Sequence, residues 1–127
     1  MMNILLVFLG GGLGSVFRYL VKIFCERNLS GVFPYATFCV NVAGSFFIGF
    51  VCALVFYKTS FISPQLKLFL TIGVAGGFTT FSTYSFEVVE LFRNGHFAVG
   101  CVYSVLSVII SLAAVICGAL SAKYIGS

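Results

Sequence analysis

The sequence predicts an all-α integral membrane protein with four transmembrane helices, the third of them broken. Three observations carry that expectation. The chain of 127 residues is 61% hydrophobic and only 8% charged, with a mean hydropathy of +1.16; a water-facing surface needs roughly 25% charged residues. Four stretches, 1–17, 32–57, 68–86 and 97–122, contain no Asp, Glu, Lys or Arg. A bilayer core about 30 Å thick takes about 20 helical residues, so each stretch spans once, the first by running on past Arg18. Finally, residues 76–87 read GGFTTFSTYSFE, which crowds glycines and hydroxyls into the third apolar stretch.

The four helices are expected at about 3–25, 34–57, 65–93 and 96–122, within one transmembrane domain over 1–127. The first is expected to be retained, because no basic segment precedes its apolar run and no small-x-small cleavage site follows. Pro34 suits the first turn of helix 2, where a missing N–H costs nothing, and Ser63-Pro64 suits the start of helix 3. Asn94-Gly95 predicts the turn between helices 3 and 4. Gly10 and Gly14, Gly11 and Ser15, and Gly73 and Gly77 are each four apart, a spacing that lets helix backbones approach closely. The run Gly10-Gly11-Gly12 has no Lys-Ser/Thr ending, so helix packing explains it better than a phosphate loop.

Four spans put both ends on one side of the membrane. Lys58, Lys67 and Lys123 fall on that side, and Lys22, Arg27 and Arg93 on the other, with Arg18 near the middle of helix 1. Basic loop residues normally set orientation, and here they show no bias. Either an unseen partner or insertase fixes the orientation, or the chain inserts both ways and pairs antiparallel as a two-fold dimer. The net charge of +4 belongs to residues at helix ends, the ordinary anchoring pattern, and no nucleic-acid partner is implied. Five cysteines (Cys25, Cys39, Cys52, Cys101, Cys117) form no CxxC motif and imply neither disulfide nor metal site. Asn28-Leu29-Ser30 matches a glycosylation sequon too common to weigh.

Polar groups in hydrocarbon cost several kcal/mol unless they meet protein, water or an ion. Asn41 stands in helix 2 with Thr37 one turn earlier on the same face. It reads equally as an interhelical hydrogen bond or as a donor lining a pathway. Tyr103, Ser107 and Ser111 recur every four residues along one face of helix 4; single serines often bond back to their own backbone, but three in register suggest a track. Glu87 and Arg18 are the acid and the base nearest a span's interior. Donor-rich, charge-poor linings suit a small, tightly hydrated anion, whose water shell hydroxyls, amides and the positive edges of aromatic rings can replace. No nucleophile–base pair or cofactor motif is present, and the sole histidine, His96, lies in a short loop, so an enzyme is not expected.

Adjacent Gly76 and Gly77 weaken helix 3, and the dense hydroxyls compete for its backbone groups. A break follows. Its half-helix ends would present carbonyls to a cation and N–H groups to an anion, and in an antiparallel pair two breaks would meet at the two-fold axis.

The Gly-Gly-x-Thr-Thr-Phe-Ser-Thr block at 76–83, the following Glu87, the Asn41-Val42-x-Gly44 element and the glycine-rich opening that runs to Arg18 resemble the CrcB/Fluc fluoride channels. The likeness covers the whole chain, and the helix 3 block is its most specific part. It implies a dual-topology antiparallel homodimer, multi-pass in the plasma (inner) membrane, with two pores that passively export fluoride. It also implies one structural, untransported sodium ion (Na+) at the dimer centre, held by backbone carbonyls that fall on Gly76 and Thr79 of each subunit. The family's pore asparagine falls on Asn41, with Thr37 beside it. Its pore phenylalanines fall on Phe81 and on position 84, where this sequence departs with Tyr84. Its helix 4 hydroxyls fall on Tyr103, Ser107 and Ser111. Arg18 has two readings, a vestibule group attracting anions or a snorkelling helix cap. The alternative is a small four-helix dual-topology multidrug or cation exporter; that class carries an acid within helix 1, which this chain lacks.

Overall fold

The computed structural model describes residues 1–58 and 62–126, and all secondary structure among them is helical. In order these are α1 (Met2–Asn28), α2 (Tyr35–Tyr57), α3 (Pro64–Leu68), a π-helical stretch (Phe69–Ala75), α4 (Gly76–Phe78), α5 (Phe81–Arg93) and α6 (Phe97–Gly126). Four runs are long and apolar enough to cross a membrane: Met2–Asn28, Tyr35–Tyr57, Pro64–Arg93 and Phe97–Gly126. The predicted spans are present, with shifted ends. α1 reaches Asn28 rather than 25, where the Asn28 side-chain amide donates to the Phe24 carbonyl (2.9 Å). α6 continues past 122 to Gly126, because the charge of Lys123 ends the apolar stretch without ending the helix. At 1.5 Å per residue its 30 residues are about 45 Å long, more than the hydrocarbon core requires.

Local chemistry sets the ends. Ser63 caps α3, its Oγ accepting from the Leu66 N–H (3.1 Å), with Pro64 in the first turn. Pro34 is itself the residue before α2, one position earlier than a first-turn proline. The α5–α6 turn closes at Gly95, whose φ of +82° strains any side chain, while the His96 N–H donates to the Leu91 carbonyl (2.8 Å). In the third span the Thr71 hydroxyl donates to the Lys67 carbonyl (2.8 Å), claiming an acceptor that the regular helical pattern uses. The helix is widened to π geometry around that residue.

Small residues position the layers. Gly10 lies against Gly73, Gly14 against the Val74 carbonyl and Gly77 against the Gly11 carbonyl, so any Cβ at these glycines would meet the facing backbone. α1 therefore packs directly on the third span. α2 and α6 form the other close pair, where Gly118 meets the Phe46 carbonyl and Gly49 the Val115 carbonyl. Gly44 faces the Thr79 methyl, which brings α2 to the middle of the third span. Large apolar side chains cover the outside of α1 and α6, a surface suited to lipid.

Candidate functional site

The third span leaves helical geometry at two residues. Thr79 (φ −84°, ψ 159°) and Thr80 (φ −153°, ψ 116°) are extended, between α4 and α5. A side chain from α2 replaces the missing backbone pairing. The Asn41 Oδ1 accepts from the Thr80 N–H (2.8 Å), and its Nδ2 donates to the Thr80 carbonyl (3.0 Å). Asn41 thus acts as a two-point clamp on an irregular segment that needs partners wherever water is absent. Thr80 in turn caps α5: its Oγ1 accepts from the Thr83 N–H (3.2 Å) and donates to the Thr83 hydroxyl (3.0 Å).

These substitutions leave particular backbone groups over. The Thr80 N–H would close a helical turn on the Gly76 carbonyl, but it goes to Asn41. The Thr83 N–H would do the same for the Thr79 carbonyl, but it goes to Thr80. Gly76 and Thr79 therefore present carbonyl oxygens without those partners, and Gly76 is exposed on the outside of the chain. Hard alkali cations take such uncharged oxygens, so these groups fit a sodium ion. Among the described residues no three His, Cys, Asp or Glu side chains come together, so a cation here would rest on carbonyls.

Most hydroxyls of the 76–87 block are used locally. Thr79 Oγ1 donates to the Ala75 carbonyl (2.9 Å) and Ser85 Oγ to the Phe81 carbonyl (2.9 Å). Ser107 is different. Its side chain is only 6% exposed, and its Oγ has no hydrogen-bond partner among the described residues.

Two hollows meet at the break. One, about 450 Å³, is lined by Arg18, Lys22, Thr37, Thr80, Thr83 and Glu87, among others. The second, about 330 Å³, is lined by Asn41, Thr80, Phe81, Tyr84, Ser107 and Ser111, together with Gly76 and Thr79. Thr80 borders both. Thr37 and Asn41, adjacent on one helix face, therefore serve different hollows, and the clamped Thr80 stands between them.

Aromatic rings connect the same region. Tyr103 is fully buried and donates its hydroxyl to Glu87 Oε1 (3.0 Å), so it belongs to the wall rather than to the second hollow. The Tyr84 ring lies 5.4 Å from Tyr103 and 5.5 Å from Phe81, and its hydroxyl donates to the Ser104 carbonyl (2.8 Å). Phe81 is 77% exposed in the single chain. Sequence reasoning missed Thr80 as a distinct centre; its place immediately before the helical pattern of α5 was the available signal.

A family model described as CrcB-like protein, Camphor Resistance (CrcB) matches residues 5–119. The chain belongs to the CrcB family. Among similar CrcB relatives, a protein of Agrobacterium fabrum named fluoride-specific ion channel FluC is 45% identical over 118 residues, covering 93% of this chain and 94% of its own. Proteins of the same name from Clostridium perfringens (42% identical, 90% of this chain and 88% of theirs) and Bacteroides fragilis (41%, 93% and 94%) are also similar. These CrcB relatives are named as ion channels, not enzymes.

Proposed function

We propose that this chain is a fluoride-selective channel that lets fluoride leave the cytoplasm passively and so lowers its internal concentration. The carrying observation is the buried Ser107 hydroxyl, without a hydrogen-bond partner among the described residues, on a hollow whose other polar lining is uncharged. A buried, unpaired donor costs about 1–3 kcal/mol, and a passing anion that accepts from it offsets that cost. Asn41 adds to the site, because an amide nitrogen carries two hydrogens and the Thr80 clamp uses one. The relatives' names point to the same ion.

The proposed path runs from the hollow with Arg18 and Thr37, past Thr80 and Asn41, to Phe81, Tyr84, Ser107 and Ser111. Tyr103 holds the wall, and Arg18 supplies a positive charge at the larger hollow, where Lys22 is offset by its ion pair with Glu26. The working unit is proposed to be an antiparallel, dual-topology homodimer in the plasma (inner) membrane. Gly76 and Phe81 are exposed beside the second hollow, and the Gly76 carbonyl lacks its helical N–H, a bare backbone group that lipid cannot satisfy. A second copy can cover it, and the unbiased charges allow that copy to be inverted. Two copies would bring the Gly76 and Thr79 carbonyls together around one structural sodium ion.

Release of ions from liposomes holding the purified protein tests this reading. Fast fluoride release without coupling to protons, with chloride retained, is expected. Proton-coupled drug transport, or no ion release, overturns it.

A further inference from the structure

We propose that the Tyr84 hydroxyl is an anchor that holds its ring in place, and is not a ligand of the passing ion. The proposal deepens the fluoride-channel reading and rests on it. Near the break, α5 has little to hold it against α6, for its only buried residue is Leu91, towards its far end. Its early turns are tied across to α6 by two polar bonds one turn apart. Tyr84 donates to the Ser104 carbonyl (2.8 Å), and Glu87 accepts from Tyr103 (3.0 Å).

A phenol has a single hydrogen to donate. Because Ser104 takes it, Tyr84 has no O–H left to offer an anion, and its oxygen lone pairs would repel one. What Tyr84 can offer is its ring edge, which carries the positive end of the ring quadrupole. The ring borders the same hollow as Ser107, and its orientation is set by the bond of its hydroxyl to Ser104 and by the tilted ring contacts with Phe81 and Tyr103. Tyr84 is therefore a positioning residue through its hydroxyl and contributes to the ion path through its carbon framework alone.

Full-length protein in liposomes, prepared with carbonyl-13C serine and 15N valine, separates these roles by solid-state NMR. The Ser104 carbonyl resonance is assigned by its loss in Ser104→Ala. Tyr84→Phe is expected to move that resonance upfield as its hydrogen bond is lost. The same variant should keep fluoride release within about fivefold of the parent, the scale of one neutral hydrogen bond. Tyr84→Leu, which removes the ring, should lose at least about tenfold, as expected when an interaction with an ion is lost. An unmoved Ser104 resonance in Tyr84→Phe overturns the anchor. So does a tenfold loss of release in Tyr84→Phe, which would make the hydroxyl a ligand, and so does full release in Tyr84→Leu. If the parent protein releases no fluoride, the channel reading fails, while the Ser104 resonance still decides the anchor.

Discussion

At the scale of single residues, Asn41 and Ser107 are informative because their hydrogen-bond accounts differ. Asn41 spends both ends of its amide on Thr80. Asn41→Asp keeps the acceptor for the Thr80 N–H, loses the donor to the Thr80 carbonyl and adds a negative charge to the donor stripe. Fluoride release is expected to fall by about tenfold or more, since a lost hydrogen bond involving a charged group is worth about 1.5–3 kcal/mol; unchanged release would remove Asn41 from the path. Among the described residues the Ser107 Oγ has no hydrogen-bond partner. Ser107→Ala should thus leave thermal stability unchanged or slightly raised while slowing fluoride release severalfold. A destabilised variant with normal release would show the hydroxyl to be structural. Asn41 was legible as a residue needing an explanation, because an amide between two valines in a span is costly. Its partner was not, since Thr80 lies 39 residues away and only the packing of α2 on the third span brings them together. The unpaired state of Ser107 was equally hidden: a serine in a span usually satisfies itself, as Ser121 does by donating to the Cys117 carbonyl (2.8 Å).

At the scale of elements, hydropathy and local chemistry carried most of the information. Charge-free stretches of this length have few folded outcomes, and the Ser63-Pro64 cap and Asn94-Gly95 turn follow from residue type. Small-xxx-small spacing identified Gly10, Gly14, Gly73 and Gly77 but not which helices meet. Spacing is a property of one helix, and a contact needs two. The α2–α6 glycines, Gly49 and Gly118, carry the same four-residue spacing, through Ser45 and Ala53 and through Ala114 and Ala122, but the sequence reading did not single them out. Their importance is nonetheless high. Gly118→Leu would drive a side chain into the Phe46 carbonyl and the Phe50 N–H across the interface. Overpacking of this kind costs typically about 1–3 kcal/mol or more. Reduced yield of folded protein from mild detergent is expected, whereas Gly12→Leu, with open space around it, should be tolerated. Size-exclusion profiles of the two variants provide the comparison.

At the scale of the whole molecule, the outer side of the third span at Gly76 needs a cover. Gly76 is exposed there, beside Phe81, and its carbonyl has lost the N–H that a continuous helix would supply. Left facing lipid, such a group costs several kcal/mol. Pairing of two inverted copies would bury it, and a shared sodium ion would satisfy the Gly76 and Thr79 oxygens together. Because main-chain carbonyls would do the binding, Thr79→Ser should change little. Its hydroxyl can still donate to the Ala75 carbonyl, and only the methyl against Gly44 is lost. Gly76→Trp should behave differently. Within the chain, a Cβ at Gly76 meets nothing closer than the Thr71 carbonyl at 3.7 Å, so the monomer has room for the larger residue. A folded but monomeric protein is therefore the expected outcome, read from cross-linking in liposomes and from loss of fluoride release. A normal dimer carrying Trp at position 76 would place the subunit contact elsewhere and remove the sodium site from the two-fold axis.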